Sequence, residues 1–156
     1  MVATLAVSGC ATSKFQSYSG PKVTSVVVNK GERRLYLLHN SQVLKQYRFD
    51  LGFAPVGDKK IEGDGKTPEG LYTINRRNPN SSYHLSLGIS YPDANDVAEA
   101  KALGLPPGGE IFIHGQPNLL RAKGSDWTAG CIAIKNREIE EMYAMVDNGT
   151  IISLRA

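Results

Sequence analysis

Two short segments hold the side chains best suited to covalent chemistry: Ile111-Phe112-Ile113-His114-Gly115 and Asp126-Trp127-Thr128-Ala129-Gly130-Cys131-Ile132-Ala133-Ile134. The first reads as a buried strand that stops on a His-Gly. The second sets a cysteine after a glycine, at the mouth of another apolar run. A histidine and a cysteine, each where a strand meets a glycine-containing loop, are what thiol acyl transfer requires. The imidazole takes the thiol proton, the thiolate attacks a carbonyl, and backbone N–H groups beside the cysteine hold the oxyanion. Plainer readings compete, since a free cysteine commonly packs as a small hydrophobe and a histidine at a strand end is commonly structural. Gly130 favours the nucleophile, because it relieves crowding where a substrate backbone must approach. Paired with that cysteine, His114 becomes the general acid and base. The thiolate is then expected to be favoured while the imidazole is protonated, so that Cys131 reacts well below the pH of an ordinary thiol.

Other chemistries find less support. His39, His84 and His114 with Cys10 and Cys131 form no paired ligand spacing, so neither a metal nor a cofactor is expected. A Cys10–Cys131 disulfide is the competing cysteine arithmetic, but it would consume the thiol that the motif needs. Tyr83, His84, Tyr91 and Trp127 suit a groove for an extended peptide, or alternatively a core. Asp126 is expected at the rim or as a loop anchor and not as a third catalytic member.

The same residues carry a family resemblance. The His114-Gly115 strand end and the Gly130-Cys131-Ile132 segment resemble the L,D-transpeptidase (YkuD-type) catalytic domain of bacterial cell-wall enzymes. Thr67-Pro68-Glu69-Gly70-Leu71-Tyr72 is similar to that family's turn into a strand. Tyr83-His84-Leu85-Ser86-Leu87, Ile89-Ser90-Tyr91-Pro92 and the Asp126–Cys131 motif resemble the branch that includes lipoprotein-detaching enzymes. The commoner motif is Ser-His-Gly-Cys with an arginine two residues on; here Thr128, Ala129, Gly130, Cys131 and Ala133 stand at those positions. The resemblance implies Cys131 as nucleophile, His114 as general acid and base, and the Gly115 carbonyl as the group orienting the imidazole. Gly130, Thr128, Trp127, Tyr83 and His84 are the expected oxyanion and binding set. Arg121, Lys123 or Lys135 would stand in for the absent arginine. The implied reaction takes peptidoglycan stem peptides through a Cys131 thioester to an amine acceptor. Hydrolysis of cross-links or of lipoprotein–peptidoglycan links is the alternative, and a non-catalytic wall-binding domain a second one.

The elements that must position these groups are short. Val23–Val28 and Arg34–His39 read as strands around a turn, and the alternation of Val43, Tyr47, Phe49 and Leu51 predicts a third. From Gly52 to Gly70, Gly and Pro accumulate in a long loop expected to border the substrate groove. Strands over 71–74 and 85–91 follow, with a turn over 75–80 between them. A helix opening at Asn95 or Asp96 is expected from the helical spacing of Val97, Ala100 and Leu103. A second, from Asn136, is expected to bury Ile139, Met142, Tyr143 and Val146, before a strand over 150–154. The fold class expected is mainly β, a curved mixed sheet or sandwich with two or so peripheral helices.

The 156 residues, 41% hydrophobic and 21% charged, suit one domain with a substantial core. A net charge of +3 with no basic run interleaved with aromatics gives no support for nucleic-acid binding. Residues 1–22 read as a signal-like segment and linker, and 23–156 as the catalytic domain. Val7-Ser8-Gly9-Cys10 resembles a lipobox, which makes Cys10 a lipidation candidate and its lipid the only expected membrane contact. The chain is therefore expected to be exported to the periplasm or cell envelope, and lipid-anchored at the outer membrane if Cys10 is modified. A peptidoglycan-linked lipoprotein is a further implied partner.

Overall fold

Val26 and Val28 of β1 (Ser25–Asn29) and Leu35 and Leu37 of β2 (Arg34–His39) are fully buried, alternating with half-buried neighbours. That period of two is how a strand covers a core with one face. The structure, a computed structural model, describes residues 13–120, 122 and 124–156. Cys10, Arg121 and Lys123 lie outside the described residues. After β1 and β2 come β3 (Gln42–Arg48), β4 (Gly70–Asn78), β5 (Ser86–Ile89) and α1 (Ala94–Ala102). β6 (Phe112–His114), β7 (Ile132–Ala133), α2 (Asn136–Met145) and β8 (Ile151–Arg155) complete the order.

One eight-stranded sheet runs β3-β2-β1-β8-β4-β5-β6-β7. The β1–β8 and β6–β7 pairs are parallel and the others antiparallel. Beyond β3, Asp50 exchanges two backbone hydrogen bonds of 2.9 Å with Ala133 of β7. The chain leaving one edge strand is thus bonded to the other edge, and the sheet curls into a half-barrel. This is the mainly β, curved mixed sheet with two helices that the sequence predicts.

Several boundaries differ from expectation for identifiable reasons. β4 continues to Asn78 through the turn expected at 75–80, because Arg76, Arg77 and Asn78 pair with β5. Val43 is 52% exposed, since a register shift between Leu37 and Leu38 breaks the alternation in β3. α1 opens earlier than expected because Asp93 caps it: its Oδ1 accepts from Asn95 N and Asp96 N, and Asp96 returns a bond to Asp93 N. Only Ala100 of α1 is buried, whereas Val97 and Leu103 are exposed. α2 buries Ile139, Met142 and Met145, with Val146 behind them, while Tyr143 is half-buried. Arg77 stacks on Tyr143 at 4.0 Å and donates to the Tyr143 and Val146 carbonyls, so a cation closes the helix where its orphan carbonyls lie. Residues 13–22 lie against the domain. Lys14 Nζ donates to Pro79 O and His84 O, and Phe15 meets Tyr143.

Candidate active site

β6 is the central rail of the site. It pairs with β5 (Ser86↔His114, Gly88↔Phe112) and with β7 (His114↔Ala133). Leu87, Ile113 and Ile132 are fully buried on the core side, so Phe112 and His114 stand on the other face with Ser86. The strand ends at Gly115, whose N–H turns back to Tyr83 O at 2.9 Å. A side chain there would meet Asn136 Oδ1 at 2.6 Å and Tyr83 O at 2.9 Å, so the position requires glycine.

His114 Nδ1 lies 2.7 Å from Gly115 O. A carbonyl only accepts, so Nδ1 carries the hydrogen and the neutral ring keeps its lone pair on Nε2. The Tyr83 ring packs 4.4 Å from the imidazole and Trp127 5.7 Å from it, between them fixing its plane. His114 is only 3% exposed.

Cys131 is a free thiol placed between Glu110 O and the Phe112 N–H, each 3.4 Å from Sγ. The thiol donates to the first and accepts from the second. Two threonine hydroxyls hold the preceding turn: Thr128 Oγ1 accepts from Gly130 N and donates to Cys131 O, and Thr67 Oγ1 donates to Gly130 O at 2.7 Å. Gly130 has φ +132, and a Cβ there would fall 2.6 Å from Lys66 O. The turn is further bonded to the 52–69 loop through Phe53 N→Thr128 O and Thr128 N→Leu51 O.

His114 and Cys131 line one cavity of about 310 Å³ with Asn78, Ser81, Ser82, Tyr83, Ser86, Glu110 and Phe112. Burial is the main influence on both reactive groups, pushing the Cys131 thiol up and the His114 imidazole down from their ordinary values. The Phe112 N–H opposes it at the thiol, as the Gly115 carbonyl does at the ring. Both shifts favour the neutral forms and run against the expected thiolate–imidazolium pair, because a low-dielectric site disfavours each charged form.

The other expected site residues divide. Tyr83 lines the cavity and Trp127 backs the imidazole. Thr128 is buried and its hydroxyl turned into the loop, while the Gly130 N–H is engaged by that hydroxyl. His84 is not brought into the cavity: its Nε2 lies 2.6 Å from Glu140 of α2. Tyr91 is core, edge-on to Tyr72 and bonded to Pro107 O. Asp126 anchors the loop, paired with both Nη atoms of Arg33 and accepting from Leu51 N. None of residues 52–69 lines this cavity, but the loop stays close to the thiol: the Lys59 ammonium lowers it against burial, and Thr67 holds the cysteine turn. Ser81, Ser82, Ser86, Asn78 and Glu110 escaped the sequence reading. Ser86 reaches the site only through its register with His114, which no local pattern encodes.

Residues 24–154 match the YkuD family, the L,D-transpeptidase catalytic domain. The chain belongs to that family. A protein of Escherichia coli K12, YafK, provisionally named an L,D-transpeptidase, is 29% identical over 112 residues, or 70% of this chain and 40% of YafK. Pgp2 of Campylobacter jejuni, described as a helical cell shape determining protein, superposes with a TM-score of 0.65 at 30% identity. That match covers 86% of this chain and 51% of Pgp2. Bd1075 of Bdellovibrio bacteriovorus gives 0.58 at 25% identity, over 85% of this chain and 47% of Bd1075. This L,D-transpeptidase-family chain thus spans about half or less of the relatives it matches.

Proposed function

We propose that this domain is a cysteine acyltransferase of the bacterial cell envelope, acting on peptidoglycan stem peptides by L,D-transpeptidation. The observation that carries the reading is the shared cavity of His114 and Cys131, with the ring tautomer set by Gly115 O. His114 Nε2 takes the thiol proton as Sγ attacks the carbonyl at the L-centre of the diamino acid. The tetrahedral adduct collapses to a thioester, and the protonated imidazole returns that proton to the departing amine. An incoming amine then attacks the thioester, gives its proton to Nε2, and leaves with the acyl group while the thiol is restored. Membership of the L,D-transpeptidase family and the similarity to Pgp2, described as a helical cell shape determining protein, support the substrate class.

The test is mass spectrometry of muropeptides after incubation with isolated peptidoglycan. New amide linkages at the diamino acid are expected with the wild type and none with Cys131→Ala. Products carrying only added water would replace transfer by hydrolysis. Undiminished products from Cys131→Ala would remove the nucleophile.

A further inference from the structure

Arg76 lies on the reactive face of the sheet, one row from the catalytic histidine. The register joins Asn78, Ser86 and His114 in one row and Arg76, Gly88 and Phe112 in the next. Side chains in register share a face, as do those two residues apart on a strand. Asn78, Ser86, Phe112 and His114 all line the Cys131 cavity, which identifies that face. Arg77 points the opposite way, onto the end of α2. Two strand residues span about 7 Å, so the Arg76 row stands about that far from His114.

The fold gives Arg76 little to do. Gly88 leaves a gap across which the guanidinium reaches Phe112, with Cζ 4.7 Å from the ring centre. A Cβ at Gly88 would fall 2.9 Å from both Arg76 Cβ and Nε. Nε is buried without a hydrogen-bond partner, alone in this among the side-chain atoms of the described residues. Nη1 reaches Glu110 Oε1 at 2.8 Å, but the Glu110 side chain is 77% exposed. Such a solvent-exposed pair is weak and exchanges readily. Arg77, by contrast, spends two nitrogens on buried helix carbonyls. A planar fork stacked on an aromatic ring beside a nucleophile, held by an exchangeable carboxylate, is built to receive a carboxylate.

We infer that Arg76 binds a carboxylate of the peptide substrate within about two residues of the scissile carbonyl, the distance that 7 Å of extended chain covers. Glu110 occupies that place until the substrate displaces it. The inference rests on the peptide acyl-transfer reading for its substrate class, but not on Cys131 being the nucleophile.

Its test reads binding in the Cys131→Ala background, where no turnover intervenes. Trp127 is the only tryptophan and packs against the His114 ring, so its fluorescence reports occupancy. One probe is a synthetic stem tetrapeptide; the other is the same peptide with the carboxyl groups flanking the scissile amide converted to carboxamides. The carboxylate peptide is expected to bind about tenfold tighter than the amide. Adding Arg76→Gln is expected to abolish that preference, and Arg76→Lys to restore part of it. Glu110→Gln, which removes the competitor, is expected to tighten carboxylate binding two- to fivefold in the presence of Arg76 and to give no such gain beside Arg76→Gln, whereas mere relief of charge repulsion from Glu110 would tighten binding in both backgrounds. Equal affinity for the two peptides, or no gain from Glu110→Gln, overturns the inference even if Arg76→Gln fails to fold. Muropeptide products that depend on Cys131 would still stand in that event. Conversely, a carboxylate preference without such products overturns the transfer reaction and leaves Arg76 its role.

Discussion

Cys131 and His114 both lose solvent, which shifts each toward its neutral form. On the proposed reaction, the imidazole with its free Nε2 lone pair would take the thiol proton during attack and would not store a thiolate beforehand. A consequence is measurable with iodoacetamide. The alkylation rate of Cys131 should keep rising with pH through and beyond the ordinary thiol range near 8.5, because the raised thiol ionises late. At pH 6–7 the protein should react more slowly than a free cysteine. A plateau of fast alkylation already reached at pH 6 would show a preformed ion pair and overturn this order of events. That Cys131 and His114 would share one site was legible in sequence, because each sits at a strand end beside a glycine whose side chain would clash: Gly115 against Asn136 and Gly130 against Lys66 O. Their charge state was not, because it depends on how deeply the folded cavity excludes water.

The 52–69 loop is the element whose reading changed most. Its punctuation by Gly and Pro correctly marked irregular structure, but composition cannot tell a rim loop from a buttress. What holds it in place is a set of contacts, long-range from Lys30 Nζ, which donates to Gly57 O, Thr67 O and Glu69, and local from Lys59, which donates to Ile61 O and Asp64. α1 misled in a similar way, since Val97 and Leu103 keep helical spacing yet face solvent. Two predictions follow from the buttress. Thr67→Val removes the donor to Gly130 O and leaves that buried carbonyl unpaired, at a cost of about 1–3 kcal/mol. Calorimetry should register a fall in Tm of about 2–4 °C per kcal/mol, with a loss of turnover beyond that of a remote variant of equal stability. Unaltered melting would mean that the hydroxyl is idle. Asp64 supplies the second. Burial raises its carboxyl, but the Lys59 ammonium and the backbone N–H groups of Lys60, Ile61 and Lys66 outweigh it and bring the value to about 2, below the ordinary 3.8. Its stabilising contribution is therefore whole above pH 3.8 and lost as pH falls toward 2. Protection of the amides across 58–66, taken relative to the intrinsic exchange rate at each pH, should fall in that interval, and Asp64→Asn should lower it at every pH; protection unchanged by acid in the wild type would refute the linkage.

At the scale of the whole molecule, the mainly β class, most of the strands and the two helices could be foreseen because each element announces itself locally, through alternation, capping or turn residues. The closure of the sheet could not, for it rests on Asp50 meeting Ala133 across more than eighty residues of chain. Nor could the course of residues 13–22, whose small and polar composition reads as a linker. In the fold they act as a strap across two pieces of the site's support. Lys14 binds the carbonyls of Pro79 and His84, Gln16 binds Glu140, and Glu140 in turn holds His84. The segment between, 79–84, carries Ser81, Ser82 and Tyr83 to the cavity. A chain starting at Lys22 loses every one of the strap's bonds while keeping Val23, which is buried in the core. Hydrogen exchange of that shortened chain should therefore quicken at 80–84 and leave β1 and β8 protected, since local openings need only the contacts that cover them. Peptide affinity should fall with it, because Tyr83 is then less firmly set against the imidazole. If exchange at 80–84 is the same in both chains, the strap contributes nothing to the site, and the bonds of Tyr83 to Gly115, Leu85 and Ser81, with those of Asn118 to Ser81, Ser82 and His84, hold the segment without it.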